Sequence, residues 1–116
     1  MPRRLARPLL EDMAAFALEA TEFLDERTGD ELMADRMRFL AITRAAEIVG
    51  EAASHVRKPI QERFTDIDFA SAIAMRHRLV HGYGAIDATI LADTVRTDFP
   101  PLVSAALSSL LPDEET

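Results

Sequence analysis

A chain of 116 residues is enough for one domain around one core, with 48% apolar residues to fill it and 28% charged residues to clothe it. The absence of cysteine excludes a disulfide framework and any thiolate metal site, and the formal net charge of −7 argues against nucleic-acid binding by overall charge. The charge is unevenly spread. Acid gathers at Asp25–Glu26, Asp30–Glu31 and Asp113–Glu115, and base at Arg36, Arg38 and Arg44, at Arg57–Lys58, at Arg63 and at Arg76 and Arg78, so a basic cleft on an acidic body is compatible with the total.

The start, Met1 to Pro8, is basic like the front of a signal peptide, but Glu11 and Asp12 interrupt the stretch after it and no run is apolar enough to span a bilayer. The expectation is a cytoplasmic protein with no membrane association. Leu9, Met13, Phe16, Ala20 and Phe23/Leu24 step by three and four and predict a first helix ending near Arg27. Thr28-Gly29-Asp30 breaks it, Gly29 suiting a helix C-cap and Asp30 the next N-cap. A long second helix is predicted from about Glu31 to Val56, with an apolar stripe of Met33, Met37, Leu40, Ile48, Ala52 and Val56. Arg44 falls on that stripe and Glu51 borders it, two turns on. Charged side chains are rarely buried unless paired, so these two form either an ion pair that orients the helix or a supporting shell for a site.

Pro59 can open a short helical turn through Phe64, and Thr65-Asp66 reads as a loop and cap before a third main helix. Its stripe is Phe69, Ala72/Ile73, Arg76 and Leu79/Val80, and Gly82 and Gly84 end it. Asp87 caps a fourth helix bearing Ile90, Leu91, Thr94 and Val95. Pro100-Pro101 should break or restart it, because proline lacks the donor an inner turn needs. Leu102, Val103, Ala106, Leu107, Leu110 and Leu111 make a last amphipathic piece before a flexible acidic tail from about residue 112. Sustained strand alternation is missing, so the fold class is all-α, one domain over residues 1–116. A bundle this small tends to cover its apolar faces with a second copy.

Chemistry concentrates in Arg76-His77-Arg78-Leu79-Val80-His81-Gly82-Tyr83. Arg76 sits in the middle of an apolar stripe, a costly place for a guanidinium unless something anionic meets it. Five residues of helix turn about 500°, which leaves Arg76 and His81 about 140° apart. They converge only if the helix ends or tightens near His81, or if a second chain supplies the opposite wall. Histidine titrates near neutrality and can take a proton from a ribose 2′-hydroxyl or give one to a leaving oxygen. Arginine can hold the scissile phosphate, and a tyrosine can bond phosphate or orient the imidazole. Such cleavage needs no cofactor and no metal, because the nucleophile belongs to the substrate. The plainer readings are a histidine capping a helix dipole and a tyrosine packed in the core.

The segment closely resembles the Arg-x4-His-x-Tyr signature of HepT-like toxins in the HEPN superfamily. Arg44-Ala-Ala-Glu-Ile-Val-Gly-Glu51-Ala-Ala is similar to that family's second-helix motif, and Ile86-Asp87 and Asp98-Phe99-Pro100-Pro101-Leu102 extend the likeness, which runs from about Leu9 to Leu111. The resemblance implies an up-and-down bundle of four to five helices that forms a homodimer and sets two signatures around one cleft. It implies a metal-independent endoribonuclease acting on tRNA or mRNA, neutralised by a small nucleotidyltransferase antitoxin of MntA type that transfers AMP to the motif tyrosine. Carried over by position, Arg76 and His81 are catalytic and Tyr83 is the modified or substrate-orienting residue. His77 stands where the family usually has asparagine, which bears on substrate choice and rate.

Two other functions fit the same residues. A non-catalytic module docking a nucleotidyltransferase agrees with the acidic charge and with His77. A metal site is suggested by His77 and His81, spaced to project from one helical face, although a lone pair with no carboxylate is thin support. Arg57, Lys58, Arg63 and Arg78 can line an RNA approach or simply form a solvated face. Arg44, Glu51 and His77 are assigned to a supporting shell, with Glu51 holding Arg76 or Arg44, and His55 to the surface or a helix cap.

Overall fold

The structure, a computed structural model, describes residues 6–82 and 87–110. All regular structure among them is helical: α1 Ala6–Leu24, α2 Gly29–Ala34, α3 Arg36–Ser54, α4 Lys58–Gln61, α5 Phe69–His81 and α6 Ala88–Leu110. Four are long, as expected, and two are short. α1 lies between α3 and α6, while α5 packs chiefly on α3, so α5 is the outermost of the long helices.

The contacts at the centre are made largely by alanine. Ala14, Ala17 and Ala20 of α1 and Ala45, Ala46 and Ala53 of α3 are all buried, with Met13, Leu24, Ile42 and Val49 filling the space between. Small side chains let helix backbones come close, and interior packing rewards close approach. This overturns part of the expected face of the second helix. Met33, Met37 and Leu40 are 65%, 83% and 48% exposed, and Phe39, Ile42, Ala45/Ala46, Val49 and Ala53 turn inward instead. Two apolar stripes share that segment, and the one with smaller residues forms the core.

The segment is also divided, not continuous. Asp35 leaves the helical conformation between α2 and α3, and its carboxylate accepts from the Arg38 backbone at 3.1 Å and pairs with the Arg38 guanidinium at 3.1 Å. Arg38 also donates to the Phe23 carbonyl at 2.8 Å, tying the junction to the end of α1. The N-cap of α2 is Thr28, not Asp30. Thr28 accepts from the Glu31 backbone at 3.2 Å and Glu31 accepts from the Thr28 backbone at 3.0 Å, a reciprocal box that holds the Glu31 carboxyl below its usual range. Gly29 lies inside the helix, where a Cβ would strike Thr89 of α6. α1 instead ends at Asp25, which takes the left-handed conformation at φ 52°, one that Asp tolerates better than most residues.

The N-cap of α5 is Asp68, two residues beyond the expected Asp66, and it accepts from the Ser71 backbone at 2.9 Å. Asp87 caps α6 as expected, accepting from the Thr89 backbone at 2.7 Å. The expected break at Pro100-Pro101 does not occur, and α6 runs through both prolines to Leu110. Both face solvent, as do Arg96 and Thr97, whose carbonyls lose their helical partners and can turn to water. Phe99 and Leu102 on the inner side are each 1% exposed, and this burial holds the helix together.

Candidate functional site

The site begins at the crossing of α3 and α5. A Cβ on Gly50 would collide with Arg76 Cβ and lie 2.5 Å from the Ala72 carbonyl, so only glycine lets the two helices meet there. That contact fixes the root of the Arg76 side chain against α3. The next residue, Glu51, then pairs with it, Arg76 Nε standing 2.8 Å from Glu51 Oε2. Glu51 Oε1 is also within 3.0 Å of His55 Nε2, one turn further along α3. A bond at Nε fixes the plane of the guanidinium while its terminal nitrogens carry the remaining donors, a suitable arrangement for holding an oxyanion.

Arg76 and Glu51 open into a groove of about 210 Å³ lined also by Arg44, Glu47, Ile48 and Val80. Of the two expected partners for Glu51, Arg76 is the one found. Arg44 does not lie on a buried stripe: its side chain is 72% exposed and pairs with Glu47 at 3.5 Å. No charged side chain is buried among the described residues, so the cost that would demand a buried pair does not arise. Sequence reasoning overlooks Glu47, although its position one turn after Arg44 is signal enough. His55 is the C-cap residue of α3 and exposed, as expected, but its bond to Glu51 is an addition to that expectation.

His81 closes α5. The helix stays regular to that residue, and Gly82 caps it with an N–H bond to the Arg78 carbonyl at 2.8 Å. The tightening that would swing His81 toward Arg76 within one chain is therefore missing, and the histidine instead stacks near His77, ring centroids 4.5 Å apart and planes 48° apart. His77 in turn lines a second groove, about 610 Å³, with Lys58, Gln61, Ile73 and Arg78. Arg76 thus faces the α3 seam, while the two histidines sit on the outer side of α5.

The basic residues do not make one strip. Lys58 and Arg78 share the groove with His77, Arg57 is the exposed N-cap residue of α4, and Arg63 lines a separate cleft of about 500 Å³ with Phe64, Pro101 and Ser104. Tyr83 and Ile86 lie outside the described residues, as does the tail. No cluster of three or more His, Asp or Glu able to hold a metal occurs among the described residues. No described helix is long and apolar enough to cross a membrane.

The profile of the ribonuclease HepT-like family matches residues 13–108. A probable ribonuclease HepT of Thermococcus cleftensis is 30% identical over 100 residues, covering 86% of this chain and 91% of that protein. A candidate RNase of Methanocaldococcus jannaschii is 28% identical over 102 residues, covering 88% and 94% respectively. Another, of Caldanaerobacter subterraneus, is 29% identical over 100 residues, covering 83% and 86%. No solved structure gives a significant match. The matched span includes the Gly50–Arg76 crossing, the Glu51–Arg76 pair and the whole of α5, and with an all-helical architecture it establishes that this chain belongs to the HepT-like ribonuclease family.

Proposed function

We propose that the protein is a metal-independent endoribonuclease toxin, assembled as a homodimer in which Arg76 of one copy and His81 of the other act on the same RNA phosphate. The observation that carries this reading is the Glu51–Arg76 pair, a guanidinium pre-set at a groove mouth by a carboxylate 2.8 Å away, in a chain of a ribonuclease family. Within one chain a regular helix turns His81 away from that guanidinium, so a second copy is what completes the site.

In the proposed reaction one His81 imidazole takes the proton of the ribose 2′-hydroxyl, and the 2′-oxygen bonds to phosphorus. The bond from phosphorus to the 5′-oxygen breaks, and that oxygen takes a proton from water while the imidazolium returns its own proton to solvent. The products are a 2′,3′-cyclic phosphate and a 5′-hydroxyl end. Arg76 holds the phosphate and offsets the charge that builds on it. Arg57, Lys58, Arg63 and Arg78 are proposed as RNA contacts, and Tyr83 as a group that orients substrate and receives AMP from a nucleotidyltransferase antitoxin. A nucleotide there would bring charge and bulk where RNA must lie.

RNA digestion in EDTA tests this directly. Wild type should leave cyclic-phosphate ends, and His81→Ala should lose about 10²- to 10⁴-fold in rate, the usual worth of a proton-transfer group. Mixing His81→Ala with Arg76→Ala protein should recover activity that neither has alone. Undiminished cleavage by His81→Ala rejects the mechanism, and lack of recovery rejects the shared site. The separation of Arg76 and His81 in one chain and the net charge of −7 favour a second reading, a non-catalytic partner of a nucleotidyltransferase. Co-purification with AMP transfer, in the absence of any cleavage, would select it.

A further inference from the structure

We propose that His77 and His81 form a two-imidazole site for a first-row divalent cation of tetragonal preference, Ni²⁺ or Cu²⁺, and that filling it silences the ribonuclease. The second half rests on the reading of His81 as the proton-transfer group, whereas the first half stands without it.

The geometry is the main argument. An imidazole nitrogen binds such an ion at about 2.0–2.1 Å, which puts the ring centroid about 3.2 Å from the metal. With one nitrogen of each ring turned to a common ion, two centroids 4.5 Å apart subtend about 90° there, the angle between adjacent positions of a square or octahedral shell. Both histidines are exposed, one turn apart on the final turns of a regular helix, so the two rings lie close together and open to solvent. Among the described residues no third His, Asp or Glu joins them, which leaves the remaining positions of a bound ion to water.

The surroundings select the kind of ion. Lys58 and Arg78 share the groove with His77 and repel every divalent cation alike, so only a strong bond to imidazole nitrogen can hold one there. Hard cations held by charge and carboxylate oxygen, Mg²⁺ and Ca²⁺, have nothing to bind, while an ion that bonds covalently to imidazole nitrogen does. Coordination occupies the nitrogen lone pair that proton transfer requires, so a metal-bound His81 can serve neither as base nor, by reprotonation, as acid.

Ni²⁺ titrated into untagged protein, followed by calorimetry and by paramagnetic broadening of imidazole protons, decides the site. One ion per chain should broaden His77 and His81, and His77→Ala or His81→Ala should each weaken binding by about tenfold or more. His55→Ala should leave binding unchanged. Binding that survives both of the first two substitutions, or is lost in His55→Ala, overturns the site. For the regulatory half, each variant's RNA cleavage is compared with its own rate in EDTA. Wild type should be inhibited by Ni²⁺ but not by Mg²⁺, and His77→Ala should be insensitive to both. Ni²⁺ bound at the pair with cleavage undiminished overturns the inhibition, whereas no cleavage in EDTA removes the nuclease reading and leaves the titration to judge the site.

Discussion

At the scale of single residues the proposed site turns on Glu51. An ion pair as open to solvent as Arg76 and Glu51, with side chains 35% and 47% exposed, contributes about 1 kcal/mol or less. Glu51→Ala should therefore lower kcat/KM on RNA by about five- to tenfold while leaving the fold intact. Combining it with Arg76→Ala should add little to the loss from Arg76→Ala alone, because the carboxylate acts through the arginine. Additive losses in steady-state kinetics would show that Glu51 works independently. This pair is legible in the sequence as two options, Glu51 with Arg76 or with Arg44. Spacing along one helix favours Arg44, and only the crossing at Gly50, a contact between distant segments, decides for Arg76. The bond to His55 lies one helical turn away and is legible in principle, but exposed pairs are too common to stand out.

At the scale of elements, periodicity locates the long helices but fuses α2 with α3 and splits α6, and it misjudges several ends and one face, that of the second helix. Local sequence points to caps at Asp30 and Asp66 where Thr28 and Asp68 serve, because several eligible residues crowd each boundary and only the tertiary path selects among them. The stripe Met33, Met37, Leu40 stands out by its size, whereas alanine decides which helices come close. The tandem proline reads as a stop, yet its cost falls on the solvent side and burial of Phe99 and Leu102 outweighs it. Gly50→Ala should cost about 1–3 kcal/mol in urea unfolding, since the new methyl meets backbone and a Cβ, neither of which can rotate away. Activity should fall as well, because α5 must shift. The α2 region carries an acid sensitivity of its own. Backbone donors at Thr28 and Arg38 hold the Glu31 and Asp35 carboxyls below their usual ranges. Groups depressed in this way stabilise the fold above their unfolded values, and that contribution disappears as pH falls from about 4 through the lower folded values. Helicity at α2 should therefore be lost first on acidification, and Glu31→Gln should flatten the pH profile. A profile unchanged by Glu31→Gln would show that the cap does not titrate with the fold.

At the scale of the whole molecule, the outward stripe acquires a purpose under the proposed dimer. Met37 and Leu40 lie on the same face of α3 as Arg44 and Ile48, which line the Arg76 groove, and Val80 of α5 is 39% exposed at its edge. An apolar ridge leading to an incomplete site is where a second copy would be expected to sit. Met37→Glu with Leu40→Glu should give a monomer by sedimentation and abolish cleavage, with monomer stability shifted by no more than about 0.5 kcal/mol. A dimer that persists would place the interface elsewhere.

The position of α5 at the edge carries one further consequence. Because it is seated chiefly on α3, with one hydrogen bond of 2.6 Å from Ser71 to Asp98 of α6, whereas α1 is clasped from two sides, the free energy of lifting α5 away should fall below the cost of melting the whole. The segment that bears Arg76 and His81 should thus loosen before the rest of the molecule loses its shape. Heat, or a competitor for the seam, would then extinguish the chemistry well before the protein unfolds.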